Sequence, residues 1–234
     1  MKMTPDLLKQ SLAENPCAYL ERDDGEPSAM AVTCPVRLAM TWIAQPDKKG
    51  VYKTCLIIPD GVDIEPLKRA AGDAARAFFG AKLDNADFRA QLKSPFKSRD
   101  RMIEKTDGVP KRDENGNTIR MKGFEGEGLF LDAHTKFDLA EEGGLFNRAC
   151  EPCGATAFYP GAWAIVRLKF AGYDNDGNRG VTAYLSALQF WADDEKLMQE
   201  ADKSQGFKKH AGAGNTLANS TGNGAAAGSS ASIF

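Results

Sequence analysis

Of the residues that commonly carry chemistry, histidine is the scarcest, with only His134 and His210 in 234 residues. A nucleophilic triad has little to draw on, and no GxSxG string occurs to seat a serine. Cysteine is sparse too: Cys17, Cys34, Cys55, Cys150 and Cys153 form an odd, scattered set. Such a set fits free thiols in a reducing compartment better than a disulfide framework, so the expected location is the cytoplasm. Cys150 and Cys153 do have CxxC spacing, but a zinc site needs two further ligands and no second pair exists. A thioredoxin-like CxxC opens a helix, whereas this one precedes Gly154 and a strand-like run.

Long apolar runs are missing as well. None approaches the ~20 residues that span a bilayer, and the opening MKMTPDLLKQ lacks the apolar core of a secretory signal, so no membrane partner is expected. There is no Walker loop, and Gly123, Gly126 and Gly128 run in the wrong order for a dinucleotide fingerprint. No carboxylate pair stands in a context that suggests a two-metal nuclease. The residues thus give no positive sign of an enzyme or of a cofactor. Excess positive charge is absent too. The formal net charge of −2 argues against coating nucleic acid by bulk charge, so any such function must rest on a local patch.

What is present is enough apolar material for a core, 42% of the chain, arranged in short stretches. Strand-length runs occur at 36–43, 51–58, 118–122, 128–133, 162–171 and 181–191. Between the second and third, Leu67, Ala70, Ala71, Ala74, Ala77 and Phe78 recur at helical spacing and predict a helix over 65–80. Residues 81–117 read as a long basic loop, with nine Lys or Arg between Lys93 and Lys122 against five acids. Successive strands with one or two helices predict a mainly β chain, a small barrel rather than βαβ units. Residues 1–32 read as a lead-in, 33–203 as the folded domain, and 204–234 as a flexible Gly/Ala/Ser/Asn tail ending on Ile233 and Phe234.

Side chains alternate along a strand, so each run divides into two faces. In 162–171 the even positions, from Ala162 to Phe170, are all apolar and form the core face, leaving Trp163, Ile165, Arg167 and Lys169 outward. The same division puts Tyr184 outward in 181–191, Arg120 and Lys122 outward in 118–122, and Lys53 outward in 51–58. It assigns Val36, Leu38, Met40 and Trp42 to the core. A tryptophan in line with cations suits base stacking with phosphate attraction, although a large outward aromatic also serves to cover a helix or a subunit interface. YDNDGNRG (173–180) reads as a hairpin turn, with Arg179 at its end placed to clamp a phosphate.

The string AFYPGAWAIVRLKFAGYDNDGNRGVTAYLSALQFWADDEKL resembles the C-terminal signature of a family of bacteriophage single-stranded DNA-binding proteins with an OB fold. The signature positions are Phe158, Tyr159, Gly161, Trp163, Tyr173, Gly177, Asn178, Arg179 and Gly180, and the likeness spans about residues 33–197. It implies an OB-fold-like antiparallel barrel that protects single strands in phage replication or recombination, without cofactor or turnover. The implied DNA-binding set is Lys53, Arg120, Lys122, Tyr159, Trp163, Arg167, Lys169, Tyr173, Arg179 and Tyr184. A second copy of the chain and replication or recombination proteins are the further partners to consider. Many such proteins recruit partners through an acidic tail with a terminal Phe; this tail keeps the apolar end and lacks the acids. Spacing alone leaves open an assembly protein that uses the same face to bind another protein.

Overall fold

The computed structural model describes residues 1–197; the expected tail and its terminal Ile233 and Phe234 lie outside them. Five strands build the centre: β1 (Val36–Trp42), β2 (Tyr52–Ile57), β3 (Leu129–Thr135), β4 (Trp163–Asn175) and β5 (Asn178–Ala192). β1 pairs with β2 and β2 with β3, both antiparallel. β3 then pairs with β5 in parallel, β5 with β4 antiparallel, and β4 returns to β1 antiparallel, closing the ring. The order 1-2-3-5-4-1 is that of an OB-type barrel. One seam, β3–β5, departs from the all-antiparallel expectation.

The inward residues behave as alternation predicts. Val36, Leu38, Leu56, Leu131, Ala164, Val166, Leu168, Phe170, Ala183 and Leu185 meet in one buried core. Helix α2 (Glu65–Phe79) closes over it, burying Leu67, Ala70, Ala71, Ala74, Ala75 and Phe79, a stripe at i, i+3, i+4. The β4–β5 hairpin turns on Asp176 and Gly177, both at positive φ, as a two-residue hairpin with matching twist requires.

Two expectations need correction. Residues 118–122 do not form a barrel strand, because five strands already close the ring. Thr118 and Arg120 instead make single bridges to Arg112 and Ile103 within an arm that leaves the barrel after Arg99 and returns near Gly126. The stretch 81–117 is also not one loop. It contains helix α3 (Ala86–Gln91), the strand Phe96–Ser98 paired to β3, and a small hairpin, Lys105–Thr106 with Val109–Pro110.

Outer elements cover parts of the wall. Helix α1 (Pro5–Glu14) starts at Thr4, whose hydroxyl accepts from the Leu7 amide at 3.2 Å. With Met3, its Leu7 and Leu8 pack over Trp163, Trp191 and Ala192 on β4 and β5. The arm covers Ala39, Cys55, Ile57 and Phe130 with Phe124, Met102 and Met121, joined by Leu197. Its root is held by buried Arg99, which donates to the carbonyls of Ile58 and Glu125 and pairs with Asp60 at 3.0 Å. The wall between these two covers is open.

Candidate nucleic-acid interface

Across the open wall the strand register sets five outward side chains in one row. Trp42 on β1 stands opposite Lys53 on β2, and Lys53 opposite His134 on β3. His134 pairs with Tyr184 on β5, and Tyr184 with Lys169 on β4. Trp42 is 37% exposed and Tyr184 40%, high values for large aromatics on a barrel wall. The Lys53 ammonium lies 4.9 Å from the centre of the Trp42 ring, and the His134 and Tyr184 rings are 4.8 Å apart.

Trp42 reaches this row through a bulge. Alternation placed it inside with Met40; in the structure Met40 adopts a left-handed backbone, φ 47°, and the β1–β2 register shifts between Ala39 and Trp42. The irregularity reverses the alternation, so Trp42 emerges outward. The Thr41 and Thr54 hydroxyls meet at 2.9 Å beneath it.

Charge along the row is held in place. Asp47 pairs with Lys53 at 2.6 Å and accepts from the Lys49 and Val51 amides. Led by the Lys53 bond, these donors push the Asp47 carboxyl down to about 2, so it stays ionised and keeps Lys53 above Trp42. Burial pulls the half-buried His134 imidazole below its ordinary value, partly opposed by the nearby Asp132 carboxylate. A neutral ring beside Tyr184 at neutral pH is suited to stacking. Lys169 and Arg167 on β4 are exposed, and among the described residues neither has an acidic partner. The row opens at one end into a groove of about 460 Å³ between Trp42 and the arm, and at the other into a cleft of about 710 Å³ beside Tyr184.

The ten residues singled out from the sequence therefore separate. Lys53, Arg167, Lys169 and Tyr184 share the open wall. Tyr173 and Arg179 lie at the β4–β5 hairpin, where Arg179 sits 5.2 Å over Phe88 and pairs with Asp174 at 3.7 Å. Arg120 and Lys122 belong to the arm, paired with Asp100 and with Glu195 respectively. Lys122 also lines the groove beside Trp42.

Trp163 needs correction as an open stacking residue, and the Tyr159 hydroxyl shares its surroundings. Trp163 does point away from the core, yet α1 covers it and it is 7% exposed. Its indole N–H donates to Asp194 at 2.9 Å, while the Tyr159 hydroxyl accepts from the Asp194 amide and donates to Asp193. Arg37 adds an ion pair to Asp194 at 3.4 Å. The aromatic signature thus fastens the segment that leaves β5. Gly161 completes it, because at φ 116° a Cβ would run into the Glu195 carbonyl.

Three residues of the site were not singled out from the sequence. Trp42 was hidden by the bulge. His134 stands one position beyond the run 128–133, and continuing its alternation would have found it. Phe137 follows in a turn, 68% exposed.

The model of a family described as Enterobacter phage Enc34, ssDNA-binding protein, matches residues 31–217. The chain belongs to that family. Among solved structures it resembles the single-stranded DNA-binding protein from bacteriophage Enc34, with a TM-score of 0.52 at 13% identity over 81% of this chain and 97% of that one. The same phage protein in complex with ssDNA gives a TM-score of 0.50 at 13% identity, covering 76% of this chain and 97% of that one. At such identity the likeness concerns the fold, and it agrees with the barrel order derived above. No curated protein matches the chain in sequence.

Proposed function

We propose that this chain binds single-stranded DNA across the open barrel wall, in phage DNA replication or recombination, without turnover. The observation that carries the reading is the unbroken cross-strand row Trp42, Lys53, His134, Tyr184 and Lys169, three rings with one cation after the first and one after the last. Bases stack on aromatic faces whatever their sequence, while cations follow the phosphates. Family membership and a relative of the same fold described in complex with ssDNA support the choice of ligand. No helix among the described residues is long and apolar enough to cross a membrane, and the scattered thiols suit the host cytoplasm. Arg167 extends the basic border of the row, and Tyr173 and Arg179 offer a secondary contact at the hairpin. Replication or recombination proteins, and a second copy of the chain, are the protein partners this role would call for.

A gel shift with a fluorescent oligo-dT tests the reading. Retardation at micromolar protein or below, with the oligonucleotide intact in magnesium, is the expected result. No retardation would leave the row as a surface for another protein, and magnesium-dependent loss of the oligonucleotide would make the chain a nuclease.

A further inference from the structure

The row does not stop at Tyr184. Beside it lies the cleft of about 710 Å³, whose walls include His134, Phe137, Leu139, Lys169, Tyr184 and Leu185. Phe137 is the most exposed large hydrophobic side chain among the described residues. Exposed aromatics commonly sit on loose loops, but this one is on a pinned turn. The Phe137 amide donates to the Thr135 hydroxyl at 3.2 Å. The next residue, Asp138, accepts from the Tyr52 hydroxyl at 3.0 Å and from the Ala140 amide at 2.8 Å. Leu139 is buried in the barrel core and anchors the far side. A turn fixed by three hydrogen bonds and a buried leucine presents its ring to water from a preorganised backbone.

We infer that this cleft is a separate subsite for one nucleobase, taken from the strand that crosses the row and held against Phe137. The inference rests on the single-stranded DNA reading above. Three observations select a base of that strand as the occupant. The cleft shares His134, Tyr184 and Lys169 with the row, so a strand leaving Tyr184 enters it without a gap. Its lining is mostly apolar, as the faces of a base require. Lys136 and Lys169 line it with no ion-pair partner among the described residues and outnumber Glu142, the one acidic side chain of the lining, so phosphates flanking that base would find a net positive border. The cleft would thus fix one end of the binding site and its register along the strand.

The test is fluorescence anisotropy on the full chain with labelled oligo-dT, together with a set of oligonucleotides carrying one abasic position moved stepwise along the strand. Phe137→Ala should weaken binding about tenfold, the effect of one lost stack of ~1–3 kcal/mol. Its thermal midpoint should match the parent, since the ring is exposed. One abasic position near an end should cost the parent the same tenfold and cost Phe137→Ala nothing. Equal affinity of Phe137→Ala and parent, or abasic costs that are the same in both proteins, would overturn the subsite while Trp42→Ala still weakens binding. Absence of binding by the parent would overturn the underlying reading as well.

Discussion

At Met40 one residue with a left-handed backbone decides which side of β1 carries Trp42. Without the bulge Trp42 would enter the core and the row would lose its end. Sequence periodicity sees only alternation, so it assigned Trp42 inward, while the same rule put Lys53, Arg167, Lys169 and Tyr184 on the outward face they occupy. Asp47 is the second decisive residue, because among the described residues it is the ion-pair partner that holds Lys53 over the ring. Its carboxyl lies at about 2, below the ordinary 3.8. The contribution of this group to stability is therefore complete above about pH 4 and is lost as pH falls toward 2. Asp47→Asn should show a shallower loss of thermal midpoint over that interval than the parent. An identical acid profile would mean that the pair does not contribute to the fold.

Among the elements, the covering ones were hardest to read. Barrel strands are legible because one face is buried and one is not, and β1 to β5 each overlap an apolar run marked in the sequence, although β4 and β5 run on to Asn175 and from Asn178, within the stretch read as the turn. What covers an outward face is another matter. Trp163 is hidden by α1, more than 140 positions earlier in the sequence, and no local pattern reports such a partner. The aromatic signature was recognisable, but its physical use differs from a stacking platform: Tyr159, Gly161 and Trp163 fasten the strap at Asp193–Glu195. Trp163→Ala should thus remove a buried aromatic, at about 3–5 kcal/mol, and lower the thermal midpoint by roughly 10 °C. Its affinity for oligo-dT, measured well below that midpoint, should match the parent. A stable Trp163→Ala protein with weakened binding would return Trp163 to the interface.

For the whole molecule, a net charge of −2 and an open wall with few cations set the character of binding. Lys136, Arg167 and Lys169 are cations along the wall and its cleft without an ion-pair partner among the described residues, while Lys53 is paired with Asp47. Single strands release about 0.7 of a counterion per phosphate neutralised, so the logarithm of affinity should fall with the logarithm of salt at a slope of about −2, or about −3 where Lys53 exchanges Asp47 for a phosphate. A slope near −8 would require the arm cations, Arg120 and Lys122 among them, to leave their acidic partners and join the contact. The barrel type was legible in the sequence through family likeness, while the strand count took in 118–122, which lies in the arm. The position of the proposed interface was only half legible, since it depends on which parts of the wall α1 and the arm leave bare.

Stacking of bases on the rings of the open wall is read most directly by the affinity of the double variant Trp42→Ala/Tyr184→Ala for oligo-dT. Two lost stacks at ~1–3 kcal/mol each predict a loss of about a hundredfold, with the fold intact because both rings are partly exposed. An affinity within a factor of two of the parent would contradict the claim and place the DNA on another face.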